Sequence, residues 1–420
     1  MFWGNRMINV LYDCYRILSK VYQGGAFFKQ ALTDTEIEEK NRAQITKICY
    51  GTLDKDIYLE YCISFLCEKR PKTSVRIILK IAMYCIGFLH TAPYAVVDGA
   101  VELVKKMGKS GAAGFVNAFL RKFAVTEIIL PAEKIKRLSV EYSYPEFAVK
   151  KLIGDYGEDV AIKIISAEEE HTCLRFNSGT DGKTYLDDLG ANYCETPVKN
   201  CFFADGFRRN ADYDKGVYTF QSIGSAAICE MVGGGERLLD ACAAPGGKSV
   251  NLADKFKEVV SCDIHPHRVK LIEEYSKRMG KNNISVALKD ASVCDENFFE
   301  AFDCVLADVP CSSFGVAKDN PDVKLNREES GVDSLSVLQR KILENLSKYV
   351  KKGGVLCYST CSVFRSENAE ICKDFLSRHS DFVEVATECD LPHERDDAGV
   401  RFLPHISCGA GFYFCKFKRI

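Results

Sequence analysis

Two cysteines in the second half of the chain are the residues best suited to covalent chemistry. Cys311 lies in the string DVPCSS and Cys361 in the string STCS, and each string follows an apolar, strand-like run. A thiol with an ordinary pKa of ~8.5 is only slightly ionised at neutral pH, so a nucleophilic cysteine needs a nearby cation or hydrogen-bond donor. Lys248 and Lys324 are the candidate cations. The residue types alone do not decide which cysteine is the nucleophile.

A turn rich in small residues precedes both cysteines and could hold a ligand close to the backbone. The stretch Leu238–Ser249 reads LLDACAAPGGKS, which begins as a buried strand, passes through a proline and two glycines and enters a helix-like run. Such a turn lets backbone N–H groups approach a ligand. A phosphate-binding P-loop needs a glycine where this chain has Cys242, and the dinucleotide pattern G-x-G-x-x-G is missing. We therefore expect a nucleoside-binding loop of another kind.

Four aspartates mark the ends of strand-like runs. Asp240, Asp263, Asp290 and Asp308 each follow an apolar segment. Because the carboxyl ends of parallel strands meet at one edge of a sheet, these carboxylates should lie together. Carboxylates placed together repel one another unless they have partners, and a nucleoside would supply hydroxyl and amine donors. Capping of helix N-termini would explain one or two of the four, but not all four together with the loop.

The elements that must position these residues alternate between strand and helix from about residue 217 onward. This rhythm predicts a mostly parallel sheet with helices on both faces, and the final run GFYFCKFKR predicts an antiparallel edge strand. The predicted strands are Leu238–Cys242, Val259–Asp263, Ile284–Asp290, Asp303–Pro310 and Gly353–Cys361, and the predicted helices are Pro266–Met279, Leu335–Lys351 and Glu367–Arg378.

The first 130 residues have a helical pattern and a distinct charge. Apolar residues recur at helical spacing in Val10–Leu18, Ile77–Phe88, Val97–Lys106 and Ala113–Ala124. This part contains 18 basic and 12 acidic side chains, a net charge of +6, which leaves −8 for the rest of a chain whose total is −2. A basic module beside an acidic remainder is expected when one part holds a polyanion.

Residues 131–216 predict a compact α/β linker domain. The string TCLRFN alternates as a strand should, and glycines and an aspartate follow it as a turn. Arg175, Arg208 and Arg209 are candidate phosphate contacts in this region. The chain is therefore predicted to divide into a helical domain at 1–130, the linker domain at 131–216 and a catalytic α/β domain at 217–420.

Composition excludes several classes of protein. The 420 residues are 47% hydrophobic and 27% charged, which is typical of a soluble globular chain. The longest apolar run, Ile81–Val97, contains His90 and Pro93 and is shorter than the ~20 residues that cross a bilayer. The 20 cysteines include no C-x-x-C pair, which argues against a zinc site and favours buried thiols in a reducing cytoplasm.

The strings ACAAPGGKS, DVPCSS and STCS, the last followed by FRSENAEI, together resemble the RNA cytosine-C5 methyltransferases. Gln221 and Ser225 match a further motif of that family ahead of the loop. The strings TAPYAVVDGAVELVKK and AGFVNAFLRKFA near the front resemble the NusB-like domain of some bacterial rRNA methyltransferases. That domain is found in the type that modifies small-subunit (16S) rRNA, so the resemblance covers nearly the whole chain. It implies an all-α NusB-like bundle, a small α/β linker and a Rossmann-like methyltransferase domain.

The resemblance also implies a mechanism and roles for individual residues. In that family a thiolate adds to carbon 6 of cytosine, and carbon 5 then attacks the methyl group of S-adenosylmethionine. Cys361 matches the family's nucleophile, Cys311 the cysteine that resolves the covalent intermediate, and Asp308 the residue that hydrogen-bonds the cytosine ring. DNA cytosine-C5 enzymes attack with the Pro-Cys cysteine instead, so this assignment depends on the family. The implied cofactor-binding residues are Cys242, Ala243, Ala244, Pro245, Gly246, Gly247, Lys248, Asp263 at the ribose, Asp290 at the adenine edge and Asp308.

The resulting prediction is an S-adenosylmethionine-dependent 16S rRNA cytosine-C5 methyltransferase. Its RNA partner is expected to be protein-free 16S rRNA or an early assembly intermediate, and the enzyme is expected to be a cytoplasmic monomer without metal or membrane partners. Two alternatives stay open. One is the same reaction on tRNA or 23S rRNA, and the other is a ribosome-assembly RNA-binding protein with an inactive catalytic domain.

Overall fold

The structure, a computed structural model, describes residues 2–167 and 171–420. These residues form two compact units. The first contains Met1–Ile165 together with Asn320–Arg327, and the second contains Ser166–Asp319 and Glu328–Ile420. The predicted class, a helical front part followed by a Rossmann-like α/β part, is confirmed. The predicted domain limits at residues 130 and 216 stay a prediction.

The first unit is built from helices around one apolar core. Its most buried helix, Thr73–Gly87, has apolar side chains on nearly all sides, including the consecutive residues Ile77, Ile78 and Leu79, as expected of a helix in the centre of a bundle. Pro93 begins the next helix, where its missing N–H has no intrahelical partner to lose. The helices are α1 (Phe2–Gly24), α2 (Phe28–Thr33), α3 (Glu39–Asp54), α4 (Asp56–Leu66), α5 (Thr73–Gly87), α6 (Pro93–Lys106), α7 (Ala113–Phe123), α8 (Lys134–Tyr142), α9 (Glu146–Tyr156) and α10 (Glu158–Ser166).

A short segment from the second half of the chain, Asn320–Arg327, belongs to this helical unit. Lys324 Nζ donates to the Asp54 carboxylate at 2.6 Å and to the Asp54 carbonyl at 2.8 Å, and the Lys324 side chain is only 1% exposed. The Asp322 carboxylate accepts the N–H of Phe28 at the start of α2. Leu325 packs against the apolar core. A buried ion pair therefore fixes a segment that lies far away in sequence.

The second unit begins with a small antiparallel sheet. Its strand order is β2-β3-β1-β4, and its apolar side packs Leu174, Phe176, Leu186 and Tyr218 together. The side chain of Asp181 caps the helix that follows the first strand by accepting from the N–H groups of the helix's first turn. The elements are β1 (Cys173–Phe176), α11 (Gly182–Asp188), β2 (Cys194–Glu195), β3 (Cys201–Phe203), α12 (Ala211–Asp214) and β4 (Tyr218–Phe220).

The rest of the second unit is a large sheet with helices on both faces. Its strands are β5 (Gly235–Asp240), β6 (Phe256–Asp263), β7 (Ile284–Leu288), β8 (Phe302–Asp308), β9 (Val350–Thr360), β10 (Phe382–Glu384), β11 (Glu394–Arg395), β12 (Val400–Phe402) and β13 (Phe412–Arg419). Its helices are α13 (Ile223–Val232), α14 (Gly247–Leu252), α15 (Pro266–Arg278), α17 (Glu329–Ser347) and α18 (Ala369–Arg378), while α16 (Val323–Asn326) lies in the segment of the helical unit. Successive side chains of a strand point to opposite faces of the sheet, and Leu238 and Leu239 of β5 accordingly pack into the cores on opposite faces.

The strand order is β11-β12-β13-β9-β8-β5-β6-β7, and β10 also pairs with β13. β5 to β9 are parallel to one another, as predicted. β10 to β13 add four antiparallel ladders, so the sheet is mixed rather than mostly parallel. GFYFCKFKR forms a final antiparallel strand, as predicted, but the prediction that it lies at the edge of the sheet was wrong. β13 pairs with β9 on one side and with the preceding strand β12 (Val400–Phe402) on the other.

No helix in the described ranges 2–167 and 171–420 is long and apolar enough to cross a membrane. Within the same ranges, no group of three or more His, Cys, Asp or Glu side chains is arranged to hold a metal ion.

We predict that Asp54→Ala destabilises the protein by about 3–5 kcal/mol, because it removes the carboxylate that pairs with the buried ammonium group of Lys324. The free energy of unfolding in urea measures the effect. The double variant Asp54→Ala/Lys324→Met is the control, since it leaves no buried charge and should lose less stability than the single variant. Equal losses in the two variants would contradict the assignment of this stability to the ion pair.

Candidate active site

The two predicted cysteines lie side by side. Cys311 Sγ and Cys361 Sγ are 3.2 Å apart. Asp308 at the end of β8 pairs with Ser359 at the end of β9, and the two parallel strands deliver the two cysteine-bearing turns to the same edge of the sheet. Cys311 is 6% exposed and Cys361 is half-buried, so the pair is open to the surface mainly at Cys361.

The two thiols differ in acidity. The hydrogen bond from the Cys311 thiol lowers the pKa of Cys361, against the opposing effect of burial, and the neighbouring Ser313 hydroxyl and the charge of Lys248 add to the lowering. The same hydrogen bond, together with burial and the charge of Glu367, raises the pKa of Cys311 well above its usual value. Cys361 is therefore the more acidic of the two thiols, and Cys311 the less acidic.

Asp308 joins the thiol edge to the glycine-rich loop. One of its carboxylate oxygens accepts a hydrogen bond from Ser359 Oγ at 2.7 Å, and the other accepts from Lys248 Nζ, also at 2.7 Å. Burial alone would lower the pKa of Lys248, but the charge and the hydrogen bond of Asp308 outweigh it and raise that pKa. Lys248 is therefore a fixed cation beside both Asp308 and the more acidic thiol.

The loop that follows β5 turns sharply back on itself. Gly246 has φ +106°, a conformation that favours glycine, and its N–H donates to Ala243 O at 2.7 Å. The N–H of Ala243 donates to Cys262 O in β6, which ties the loop to the neighbouring strand. A Cβ added at Gly247 would meet Gln221 and Tyr275 at 3.9 Å, an ordinary van der Waals contact. The predicted loop residues Cys242, Ala243, Ala244, Pro245, Gly246, Gly247 and Lys248 thus lie at the same edge as the thiols.

The remaining aspartates stand at the neighbouring strand ends. Asp263 ends β6, accepts the N–H of His265 and lies 3.3 Å from a guanidinium nitrogen of Arg268. Arg268 also donates to the Ala244 carbonyl, so it links Asp263 to the loop. Asp290 follows β7 and lines a cavity of about 370 Å³ together with other residues of the strand ends and α17.

Asp240, at the end of β5, is fully buried. One of its oxygens accepts from Ser249 Oγ at 2.6 Å, while the other, Oδ1, has no hydrogen-bond partner among the described residues. Burial raises the pKa of this carboxyl to about 7, and the charge of Asp308 contributes to the rise. All four predicted carboxylates are thus brought to one edge of the sheet.

Two glycines let the backbone pack tightly behind Cys361. The N–H of Gly315 donates to the Cys361 carbonyl at 2.9 Å, and the N–H of Gly411 donates to the Gly315 carbonyl at 3.0 Å. A Cβ at Gly315 would lie 2.0 Å from the Gly411 oxygen and 2.8 Å from the Cys361 oxygen. Only glycine fits there, and the contact holds the Cys361 turn from the β13 side.

Comparison with known proteins places this geometry in a family. Residues 231–418 match the family model described as 16S rRNA methyltransferase RsmB/F, and residues 7–125 match that of the NusB family. The "Probable ribosomal RNA small subunit methyltransferase B" of Bacillus subtilis (strain 168) is 33% identical over 434 aligned positions, which cover 96% of this chain and 97% of that protein. The chain belongs to the RsmB/F family of 16S rRNA methyltransferases.

Further similarities agree with this membership. The "Ribosomal RNA small subunit methyltransferase B" of Yersinia enterocolitica is 28% identical over 424 positions and covers 96% of both chains. The crystal structure of PH0851 has a TM-score of 0.83 and 23% identity, and the match covers 98% of each chain. At that identity the structural match supports the fold only. The resemblance predicted from the motifs, including the NusB-like front of this RsmB/F member, is confirmed.

Some expectations about individual side chains need correction. Arg175 was predicted to contact phosphate, but its side chain is buried in β1, where its Nε donates to Gln221 Oε1 at 2.5 Å. The alternation of TCLRFN did not reveal this, because all four residues of the strand are buried. Lys324, one of the two candidate cations for the thiols, is paired with Asp54 in the helical unit. Arg208 and Arg209 are exposed, and Arg209 pairs with Asp214.

The sequence did not single out Glu367, which the structure places between the two cysteine turns. It falls in the string FRSENAEI, which was noted only for its resemblance to the family. No local pattern distinguishes a buried glutamate from a solvated one at the start of a helix.

We predict that Cys311→Ala raises the pH at which Cys361 reacts half-maximally with iodoacetamide, because the substitution removes the thiol that donates to Cys361. Alkylation at a series of pH values, followed by peptide mass spectrometry, measures the reaction of Cys361 alone. Cys304→Ala is the matched control, since Cys304 is another buried thiol on β8, and it should leave the profile unchanged. A Cys361 profile that is the same in all three proteins would refute the donation from Cys311.

Proposed function

We propose that this protein methylates carbon 5 of a cytosine in 16S rRNA, with S-adenosylmethionine as the methyl donor and a covalent bond between Cys361 and carbon 6 of the base. The main support is the thiol pair, 3.2 Å apart, at the sheet edge that also carries Asp308 and the glycine-rich loop. Two thiols of opposite acidity suit a reaction in which one sulfur attacks the base and must later leave it.

Cys361 acts as the nucleophile. Hydrogen bonds with Cys311 and Ser313 lower its pKa and so favour its thiolate, and it is the more exposed of the two. Addition of this sulfur to carbon 6 breaks the aromatic character of the ring and makes carbon 5 nucleophilic. Asp308, beside the thiols, accepts a hydrogen bond from the exocyclic amine of cytosine or from N3 in its protonated form, which favours attack at carbon 6.

Cys311 acts in the release of the product. After methylation a base must take the proton from carbon 5, and the bond between Cys361 and carbon 6 then breaks. Cys311 lies within hydrogen-bond distance of the leaving sulfur, and its high pKa makes it a proton carrier rather than a nucleophile. Its hydrogen bond stabilises the departing thiolate of Cys361.

The strand ends fit a nucleoside-based methyl donor. The backbone of the glycine-rich loop and the carboxylates of Asp263 and Asp290 form a polar cradle along one edge, and the buried carboxyl of Asp240 ends the strand that leads into the loop. Asp263 would hold the ribose hydroxyls, Asp290 the adenine edge, and the loop from Cys242 to Lys248 the remainder of the molecule. S-adenosylmethionine, when bound, supplies an electrophilic methyl group on its sulfonium.

The helical unit offers a surface for RNA. A cavity of about 560 Å³ between the start of α5 and the start of α7 is lined by Lys69, Arg70, Lys72 and Lys109, together with the partly exposed ring of Phe115. Cationic side chains bind phosphates without regard to sequence, and an aromatic ring can stack on a base. The relatives from Bacillus subtilis and Yersinia enterocolitica are named as small-subunit rRNA enzymes, which favours 16S rRNA over tRNA or 23S rRNA. We expect the monomer to act in the cytoplasm on protein-free 16S rRNA or an early assembly intermediate, without a metal.

Bisulfite sequencing of rRNA from cells that lack the gene tests the proposal directly. One cytosine in 16S rRNA should lose its protection from conversion, and the purified protein with S-adenosylmethionine should restore it. Loss of protection in tRNA or 23S rRNA instead would identify the alternative substrate. Unchanged protection in every RNA would favour the catalytically inactive assembly factor.

We predict that the two cysteine variants fail in different ways. Cys361→Ala should reduce methyl transfer by at least about 10³-fold, because it removes the nucleophile, while binding of S-adenosylmethionine persists. Cys311→Ala should accumulate a covalent adduct with RNA, because release of the base is slowed. A denaturing gel detects the adduct as a shifted band. Normal turnover by Cys361→Ala, or the absence of a shifted band with Cys311→Ala, would contradict these roles.

We predict that Asp263→Ala weakens binding of S-adenosylmethionine by about 10- to 100-fold, the effect of losing a hydrogen bond to a charged group. Isothermal titration calorimetry measures the dissociation constant. Glu258→Ala is the control, because Glu258 lies on the same strand but is exposed and pairs with Arg237. An unchanged affinity in Asp263→Ala would remove the proposed ribose contact.

A further inference from the structure

Glu367 is a buried carboxylate between the two cysteine turns. Its side chain is 0% exposed, yet it is held by four neutral donors. The Ser312 N–H and the Gln339 amide donate to Oε1 at 2.8 Å and 3.0 Å, and the hydroxyls of Ser312 and Ser362 both donate to Oε2 at 2.5 Å. A carboxylate that accepts four hydrogen bonds has its acceptor sites filled in the ionised form, which offsets the cost of burying its charge.

The donors come from the residues next to the two thiols. Ser312 directly follows Cys311, and Ser362 directly follows Cys361. The two serine hydroxyls lie 3.1 Å apart and meet on the same carboxylate oxygen. Gln339 of α17 also donates to the Pro310 carbonyl at 2.8 Å, so the residue before Cys311 is tied to the same cluster.

The neighbouring residue strengthens this link. Asn368 donates to the Ser362 carbonyl at 2.9 Å and accepts from Thr360 Oγ1 at 2.6 Å, so the turn that carries Cys361 is held on both sides of the cysteine. The Glu367 carbonyl accepts a hydrogen bond from the phenolic Oη–H of Tyr358 in β9 at 2.6 Å. The start of α18 is thus bound to β9 and to both turns by side-chain hydrogen bonds.

We propose that Glu367 is a positioning residue that holds Cys311 and Cys361 at the spacing at which the Cys311 thiol donates a hydrogen bond to the Cys361 sulfur. This inference deepens the proposed function and rests on it for the roles of the two thiols. The carboxylate of Glu367 accepts hydrogen bonds from Ser312, Ser362 and Gln339. It acts through Ser312 and Ser362, and these fix the backbone on the C-terminal side of each cysteine.

The charge of Glu367, like its hydrogen bonds, favours donation from the Cys311 thiol to the Cys361 sulfur. The titratable groups that act on the thiol pair are Lys248 from α14, Asp308 from β8 and Glu367 itself. The negative charge of Glu367 raises the pKa of Cys311, whereas the positive charge of Lys248 lowers that of Cys361. The two charges therefore act together to make Cys361 more acidic than Cys311, against the charge of Asp308, which raises the pKa of Cys361.

The test compares the reactivity of the two thiols and does not depend on RNA or on the methyl donor. The full-length protein is treated with limiting iodoacetamide at pH 7, and peptide mass spectrometry gives the ratio of Cys361 to Cys311 modification. Glu367→Gln keeps the shape of the side chain but removes its charge and one acceptor. We expect the ratio to fall about tenfold, the effect of a relative change of one pKa unit. Glu367→Asp keeps the charge and should recover part of the ratio.

Two further variants separate positioning from general stability. Asp303→Asn makes the same carboxylate-to-amide change at the opposite end of β8, where Asp303 holds the Arg237 N–H and Lys351, and it should leave the ratio unchanged. Ser312→Ala removes one donor but keeps the carboxylate, and it should lower the ratio by about threefold even if Glu367→Gln does not fold. A wild-type ratio in Glu367→Gln, or in Ser312→Ala where Glu367→Gln does not fold, would overturn the proposal.

Methyl transfer to RNA provides the second measurement. Glu367→Gln should lower kcat by about tenfold or more and leave KM for the methyl donor within about twofold, since the cofactor cradle is untouched. A wild-type protein that methylates no RNA would overturn the proposed function but not the effect of Glu367 on the thiols. Normal kcat in Glu367→Gln, with an active wild type, would overturn the positioning role alone.

Discussion

The parallel pairing of β8 with β9 is the constraint on which the candidate site depends. Asp308 and Ser359 are partners in that ladder, so the turns that follow them begin side by side and their cysteines meet. A slip of this ladder by one residue would turn every side chain to the other face of the sheet. Apolar side chains are buried on both faces of this ladder, with Leu306 and Cys357 on one face and Val305 and Leu356 on the other. Their burial fixes the register.

Hydrogen bonds and charges then refine what the ladder brings together. Lys248 connects the loop after β5 to Asp308, and Glu367 connects the two cysteine turns to each other. Both groups are removed from solvent to a large extent, so their interactions are stronger than at an exposed surface. The opposite acidities of Cys311 and Cys361 follow from this surrounding set of groups rather than from the cysteines themselves.

Much of this arrangement could be predicted from sequence, because buried parallel strands are continuous apolar runs and their ends are marked by aspartates. The five central strands and the position of the loop were found in that way. The place of β13 could not be, since strand order depends on pairing between distant segments. The burial of Arg175 and the pairing of Lys324 with Asp54 were also missed, because each depends on a partner 46 or 270 positions away. Glu367 was missed for the same physical reason.

The membership of Asn320–Arg327 in the helical unit has a consequence for dissecting the protein. The chain leaves the α/β unit after Asp319 and rejoins it at Glu328, so no single cut between residues separates the two units. A fragment that begins at Ser166 would keep Lys324 and Leu325 but lose Asp54 and the apolar core that bury them. A fragment that ends at Ile165 would keep Asp54 but lack the ammonium group of Lys324 that the Asp54 carboxylate binds. Independent expression of either unit therefore requires redesign of the eight-residue segment Asn320–Arg327.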